Sequence, residues 1–148
     1  LGGAGRWRQD QGDHVRRRRP VHPRRSLQCG LAATSPQSDA AAIMLGDQPG
    51  LTGKLIDQTL EAFTHTETPA LRPLYSGARG EAIPGHPVVL ARSLWREVET
   101  LRGDEGLRSI FLQRPEWLTA IPTPGAPPAD IDTLEEYRRA ENALLTGK

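Results

Sequence analysis

The alternation of apolar and polar positions divides the chain into short segments with two different periods. Leu27, Leu31 and their Ala-rich neighbours fit a short helix ended by Pro36. Ala40-Ala41-Ala42-Ile43-Met44-Leu45 is a continuous apolar run between polar turns, the pattern of a strand buried on both faces of a parallel sheet. Pro49-Gly50 turns the chain, and Thr52 is placed to cap a helix carrying Leu55, Ile56, Thr59, Leu60 and Phe63. Pro69 to Tyr75 reads as extended, at a sheet edge because of Pro73. Residues 76–85 are rich in Gly and polar side chains and predict a long flexible loop. His86 to Leu90 is a second short strand.

Beyond it, Ser93 is placed to cap a helix with Leu94, Trp95, Val98 and Leu101. A further helix is expected over Asp104–Leu112, with Leu107, Ile110 and Phe111 inward, and a strand over Trp117–Ile121. Residues 122–128 are a Pro-rich connector. Thr133 then caps a final helix, with Glu136 completing a capping box and Leu134, Tyr137 and Ala140 inside. Strands alternating with helices imply an α/β sheet with crossover connections.

Charge changes this picture at one end. The 148 residues balance 19 Lys+Arg against 18 Asp+Glu, but residues 1–25 hold eight Arg and two Asp, a local +6, and the remainder carries −5. Residues 1–25 show no apolar periodicity and are expected to be a disordered or non-native leader. The Arg16–Arg19 run could contact phosphates of nucleic acid, yet only Trp7 offers an aromatic platform, so a solvated tail is the preferred reading. The single Cys29 excludes a disulfide framework and is expected to be buried or half-buried. No apolar run reaches the roughly 20 residues of a membrane span, so a soluble, cytoplasmic, reduced setting is expected.

Candidate chemistry follows the strands. Asp47 stands directly after the C-terminal end of the first apolar run, where open α/β sheets bind ligands. Gly46 lets a ligand approach the backbone, and Asp47 suits Mg²⁺, which takes one or two carboxylates plus substrate phosphates. Helix capping is an equally weighted alternative for this Asp. Asp130 and Asp132 alternate around Ile131 before the last helix, and in an extended segment both point to one side. That suits a metal site, although capping is favoured for the pair alone. Gly85-His86-Pro87 opens the strand after the flexible loop. His86 is a candidate ligand contact, against the commoner structural role of a lone His.

These pieces together resemble the nucleotidyltransferases that mature molybdenum cofactor, chiefly the molybdopterin cytidylyltransferases. Arg25-Ser26-Leu27-Gln28-Cys29-Gly30-Leu31 is similar to the family's Ser-Leu-x-x-Gly-Leu segment, and Leu45-Gly46-Asp47-Gln48-Pro49 to its Leu-Gly-Asp-Gln-Pro signature. Arg72-Pro73-Leu74-Tyr75 and Gly85-His86-Pro87-Val88 resemble its extended strand and Gly-His-Pro loop. Gly103-Asp104-Glu105-Gly106-Leu107-Arg108 and Asp130-Ile131-Asp132-Thr133-Leu134-Glu135-Glu136-Tyr137 resemble its last two motifs. The resemblance covers about residues 25–140.

It implies a Rossmann-like, three-layer nucleotidyltransferase fold, represented by residues 26–148 as a C-terminal portion. It implies CMP transfer from CTP to molybdopterin with release of pyrophosphate. Mg²⁺ would sit on Asp47, with Asp132 or Asp130 as second ligand. Ser26 and Gly46 would lie near the nucleotide, and Gly85 and His86 near the pterin. A molybdoenzyme maturation partner is then a candidate. The family's opening Leu-Ala-Ala-Gly-x-Ser-x-Arg-Met-Gly-x-x-Lys phosphate loop and first strand have no match here. An N-terminal truncation, with a shifted reading frame over residues 1–24, is the expectation, and with it weak turnover. GMP transfer, another acceptor, or a non-catalytic fragment with a nucleic-acid-binding tail are the alternatives.

Overall fold

The structure is a computed structural model that describes residues 23–102 and 105–146. The basic stretch 1–22 and the Gly103-Asp104 pair of the fifth motif lie outside them. The first helix, α1 (Pro23–Ala32), starts earlier than the apolar pattern indicated, so the expected boundary after residue 25 falls inside it. Then come β1 (Ala40–Ile43), α2 (Gly53–Thr64), β2 (Ala70–Ser76), β3 (Ala82–Pro84) and β4 (Val88–Ala91). A 3-10 turn (Arg92–Leu94), α3 (Trp95–Thr100), α4 (Leu107–Gln113), β5 (Leu118–Thr123) and α5 (Leu134–Thr146) complete the order.

The sheet is mixed. β1, β2 and β5 run the same way, with β2 and β5 paired in parallel. β4 lies between β1 and β2 and is antiparallel to both. The expected crossover survives as β1–α2–β2, which returns the chain in the same direction two places along the sheet, past β4. The reading of β1 as a doubly buried parallel strand does not hold. It pairs with β4 antiparallel, and its four residues are only half-buried. The doubly buried strand is β4, whose Val88, Val89 and Leu90 are 2%, 0% and 0% exposed.

Pro73 does not put β2 at an edge. β2 is flanked by β5 on one side and by β4 and then β3 on the other. Pro73 falls between the β4 register, which ends at Leu71, and the β3 register, which begins at Leu74. Its carbonyl accepts from Gly85 N at 2.9 Å, so its missing N–H falls in the break between two partners, where no ladder bond is lost. The expected flexible loop 76–85 contains that partner, β3.

Helices cover both faces. Leu31 of α1, Leu94, Trp95, Val98 and Leu101 around α3, and Ile110 and Phe111 of α4 form one core with Ala70, Val88 and Leu90. Val89 and Leu71 alternate to the other face, under α2. The α2 hydroxyl of Thr59, fully buried, donates back to Leu55 O at 2.7 Å. Each fully buried Leu or Val contributes about 1.5–3 kcal/mol. Leu94, Trp95, Val98, Ile110 and Phe111 are thus inward as the pattern predicts.

Three local expectations fail. Ser93 lies inside the 3-10 turn and is not its N-cap. Cys29 is exposed on the outer side of α1. In α5 the capping box forms, with Glu136 N donating to Thr133 Oγ1 (3.2 Å) and Thr133 N to Glu136 Oε2 (2.8 Å). Yet Leu134 and Tyr137 are 65% and 52% exposed, not inside. No helix of the described residues is long and apolar enough to cross a membrane.

Candidate functional site

The strand directions gather the candidate residues at one rim. β1, β2 and β5 all end there, so the segments after β1 (Gly46–Gln48), the end of β2 (Tyr75) and the segment after β5 (Asp130–Asp132) share one edge of the sheet. The segments after β1 and β5 are stitched together. Gln48 Nε2 donates to Asp130 Oδ1 at 2.7 Å, and Ile131 N donates to the Asp47 carbonyl at 2.9 Å. These two bonds fix Asp47 and Asp130, 83 positions apart in sequence, on facing loops.

Gly85 and His86 enter the same rim from β4. Gly85 is buried, its N–H bonds Pro73 O, and its carbonyl accepts from Arg72 Nε (3.2 Å) and Nη2 (3.0 Å). A Cβ at Gly85 would overlap the ring of Tyr75, so glycine is required by close approach. His86 is half-buried. Burial pulls its pKa below the usual 6.5, the charge of Arg72 adds to this, and Asp130 and Asp47 oppose it. His86 is thus a neutral imidazole at pH 7, set between one cation and two carboxylates. Burial also lowers the pKa of the Arg72 guanidinium. Among the described residues Arg72 makes no ion pair.

On the other side of Asp47 runs a groove of about 1010 Å³ between α1 and β1. Ser26, Gly46 and Asp47 all line it, with Leu27, Ala42 and Met44 supplying its apolar wall. Its size suits a nucleotide. The structure therefore brings together two overlapping groups: Ser26, Gly46 and Asp47 along the groove, and Asp47, Asp130 and His86 at the strand ends. Asp132 stands apart. Its backbone N–H joins the α5 cap by donating to Glu136 Oε2 (3.0 Å), and its side chain makes no hydrogen bond among the described residues. Bonds from the Thr133 hydroxyl and the N–H groups of Asp132 and Thr133 hold Glu136 below the usual carboxylate range.

The donors at this rim fit a hard divalent cation. Among the described residues no group of three or more His, Cys, Asp or Glu converges as a complete cage. Two carboxylates on facing loops suffice when substrate phosphates complete the shell. Gln48 Oε1 is buried and has no hydrogen-bond partner, an oxygen donor left unsatisfied beside Asp130.

Sequence reasoning gave no role to Gln48 or Arg72, although both lie within quoted motifs. Arg72 carries a visible signal: a lone cation inside the apolar strand Ala70-Leu71-Arg72-Pro73-Leu74-Tyr75. Gln48 carries none, because its importance is a contact across 82 positions.

Residues 10–117 match the MobA-like NTP transferase domain. The chain belongs to this nucleotidyltransferase family. The match begins inside the basic N-terminal stretch and stops before Asp130. Among solved structures, Rv0371c of Mycobacterium tuberculosis H37Rv is 27% identical with a TM-score of 0.67, over 80% of this chain and 59% of that one. The same protein in complex with manganese is 28% identical with a TM-score of 0.64, over 78% and 58%. The 4-diphosphocytidyl-2C-methyl-D-erythritol synthase of Anaerococcus prevotii DSM 20548 shares the fold at 16% identity and a TM-score of 0.63, over 82% and 63%. The mixed sheet is thus the Rossmann-like nucleotidyltransferase sheet, and the chain spans 59% of the length of the mycobacterial protein. No curated protein matches significantly.

Proposed function

We propose that the strand-end rim is the catalytic edge of an enzyme that transfers CMP from CTP to molybdopterin, with a divalent metal on Asp47 and Asp130. The observation that carries this reading is that Asp47 and Asp130 stand on facing loops joined through Gln48 and Ile131, with His86 near enough to feel both charges. The manganese complex of Rv0371c supports a divalent ion for the family, and Mg²⁺ fits the all-oxygen donor set here. Asp132 is the alternative second ligand. A divalent ion at this rim would neutralise phosphate charge and align the displaced groups.

The protein's own residues do the rest. The α1–β1 groove seats the nucleotide, with Ser26 and Gly46 against it. Asp47 and Asp130 are presented on facing loops that the bonds of the Gln48 side chain and the Ile131 amide hold together. Neutral His86 orients the attacking phosphate, and Arg72 fixes the Gly85 carbonyl so that the imidazole stays at the rim. An oxygen of the acceptor phosphate attacks the α-phosphorus of CTP, and the bond to the leaving pyrophosphate breaks. A molybdoenzyme that receives the product is the candidate partner.

Manganese binding followed by electron paramagnetic resonance, with CTP and with GTP, tests the reading. Asp47→Asn is expected to weaken manganese binding about tenfold or more, and CTP to compete better than GTP. Unchanged manganese binding in Asp47→Asn would remove the metal assignment. Preference for GTP would move the reading to GMP transfer.

A further inference from the structure

The last helix, α5, turns its large apolar residues outward. Among its described side chains only Glu136 and Ala140 are half-buried, and they share one side of the helix. Leu134, Tyr137 and Leu145 lie away from that side and are 65%, 52% and 80% exposed. Helices shorter than about 12–15 residues are marginal alone in water, and most gain their stability by packing an amphipathic face. α5 has 13 residues, and its apolar side packs against nothing among the described residues. Exposed apolar patches of this kind mark interaction surfaces.

The order of residues along the exposed side names its occupant. At about 100° per residue, Leu134, Arg138, Glu141 and Leu145 fall within an arc of about 60° and form one lengthwise stripe, flanked by Tyr137. The other charges of α5 are spent within the helix. Glu135 pairs with Arg139 at 3.1 Å, and Glu136 closes the capping box with Thr133. Arg138 and Glu141 are exposed and form no ion pair among the described residues. Their order, cation before anion, is the less favourable one for pairing within a helix. Along its length the stripe reads apolar, basic, acidic, apolar. Laid against itself in the opposite direction, it sets Leu134 opposite Leu145 and Arg138 opposite Glu141. Laid parallel, it sets Arg138 on Arg138 and Glu141 on Glu141.

We propose that α5 is a self-association surface, on which a second copy of this chain docks its own α5 antiparallel about a twofold axis. Two Leu134–Leu145 contacts close the ends, and two Arg138–Glu141 pairs set register and direction. α5 is about 20 Å long, so the contact falls below the roughly 1,200 Å² of a stable interface. The dimer is therefore weak, forming at about 0.1–1 mM, and at micromolar concentration the chain is single. Asp132 N bonds Glu136 Oε2 at 3.0 Å, so a second copy on α5 also steadies the loop that carries Asp130. The surface requires neither the metal nor the nucleotide, and its test separates from that of the transfer reaction.

Sedimentation equilibrium of the full 148-residue chain from about 10 µM to about 1 mM is expected to show a reversible monomer–dimer equilibrium. Added NaCl should weaken it, because the pairs that set direction are solvent-exposed charges. Leu145→Glu sets an acid against Leu134 of the second copy and should weaken association about tenfold or more. Its thermal midpoint at low concentration should match the parent's, since Leu145 is exposed. Arg138→Glu alone, and Glu141→Arg alone, set like charges across the axis and should each weaken association about tenfold. The double reversal Arg138→Glu with Glu141→Arg should restore it to within about threefold, as should mixing the two single variants. A chain that stays monomeric at about 1 mM would overturn the proposal, and protection of its α5 amides from exchange would assign the cover to the same chain. A dimer indifferent to Leu145→Glu, or one that the double reversal fails to restore, would overturn it in favour of another surface.

Discussion

β4 and β1 are neighbours built from the same kind of sequence, and they have opposite fates. Val88-Val89-Leu90 is enclosed completely. Ala40–Ile43 is half-exposed and runs on into Met44 and Leu45, which are 48% and 42% exposed. Both are short apolar runs bounded by turns. The difference lies in what flanks them. β4 has a strand on each side and helices on each face, whereas among the described residues β1 pairs only with β4. Hydrophobic composition makes a strand buriable, and only the neighbours bury it. The exposed side of β1 also borders the groove proposed to seat the nucleotide, so the incompletely covered strand is the one beside the candidate site.

Substitutions in the two strands should separate them first. Leu90→Ala is expected to cost about 2–5 kcal/mol in urea unfolding, because it opens a cavity between layers. Met44→Ala is expected to stay within about 0.5 kcal/mol. A comparable loss at Met44 would show that β1 is covered in solution.

Next comes the junction between β4 and the rim. Gly85→Ala forces a methyl into the Tyr75 ring and should cost about 1–3 kcal/mol. It should also weaken manganese binding, since Gly85 carries the Arg72 bonds and precedes His86. Destabilisation with intact metal binding would separate the two roles of this turn.

A smaller effect is expected from pH. Folding lowers the pKa of His86, so below about 6.5 the unfolded chain takes up a proton that the folded chain resists. Stability should therefore fall as pH drops through 6.5 and towards the lowered folded value. Thermal midpoints measured from pH 7.5 to 5 should decline less in His86→Gln than in the parent chain. Parallel profiles would place the imidazole in water.

The smallest global effect belongs to α5. Thr133→Ala removes a cap worth about 0.5–2 kcal/mol to the helix. Because Leu134, Tyr137 and Leu145 are exposed, hydrogen exchange in α5 should rise without a shift in the melting midpoint. A shifted midpoint would mean that the helix is docked.

Much of this molecule can be read locally. The 3.6-residue pattern placed α2, α3 and α4, and the Thr52 cap and the Thr133–Glu136 box formed as the residue types require. Asp47 after a strand end was legible for the same reason. Pro73 misled because its edge rule concerns a missing N–H, and the sheet offers an interior gap where none is needed. Leu134 and Tyr137 misled because helical spacing names a face without naming what covers it. Among the candidate residues, Asp130 was visible as a carboxylate near a helix start, but preferring it to Asp132 in the proposed site rests on its bond to Gln48.

Residue order alone therefore settled the short-range features: helix starts, turns, the strand-end carboxylate and the split in charge between the basic start and the acidic remainder. These depend on contacts within about four positions, where backbone geometry fixes the neighbours. Tertiary structure decided the rest. It inserted β4 antiparallel between two strands of one direction, left β1 half-covered, joined Asp47 to Asp130 through Gln48, and placed Tyr75 against the first turn of α2. Each of these joins residues at least 18 positions apart, and which partners meet is set by burying all the apolar faces at once.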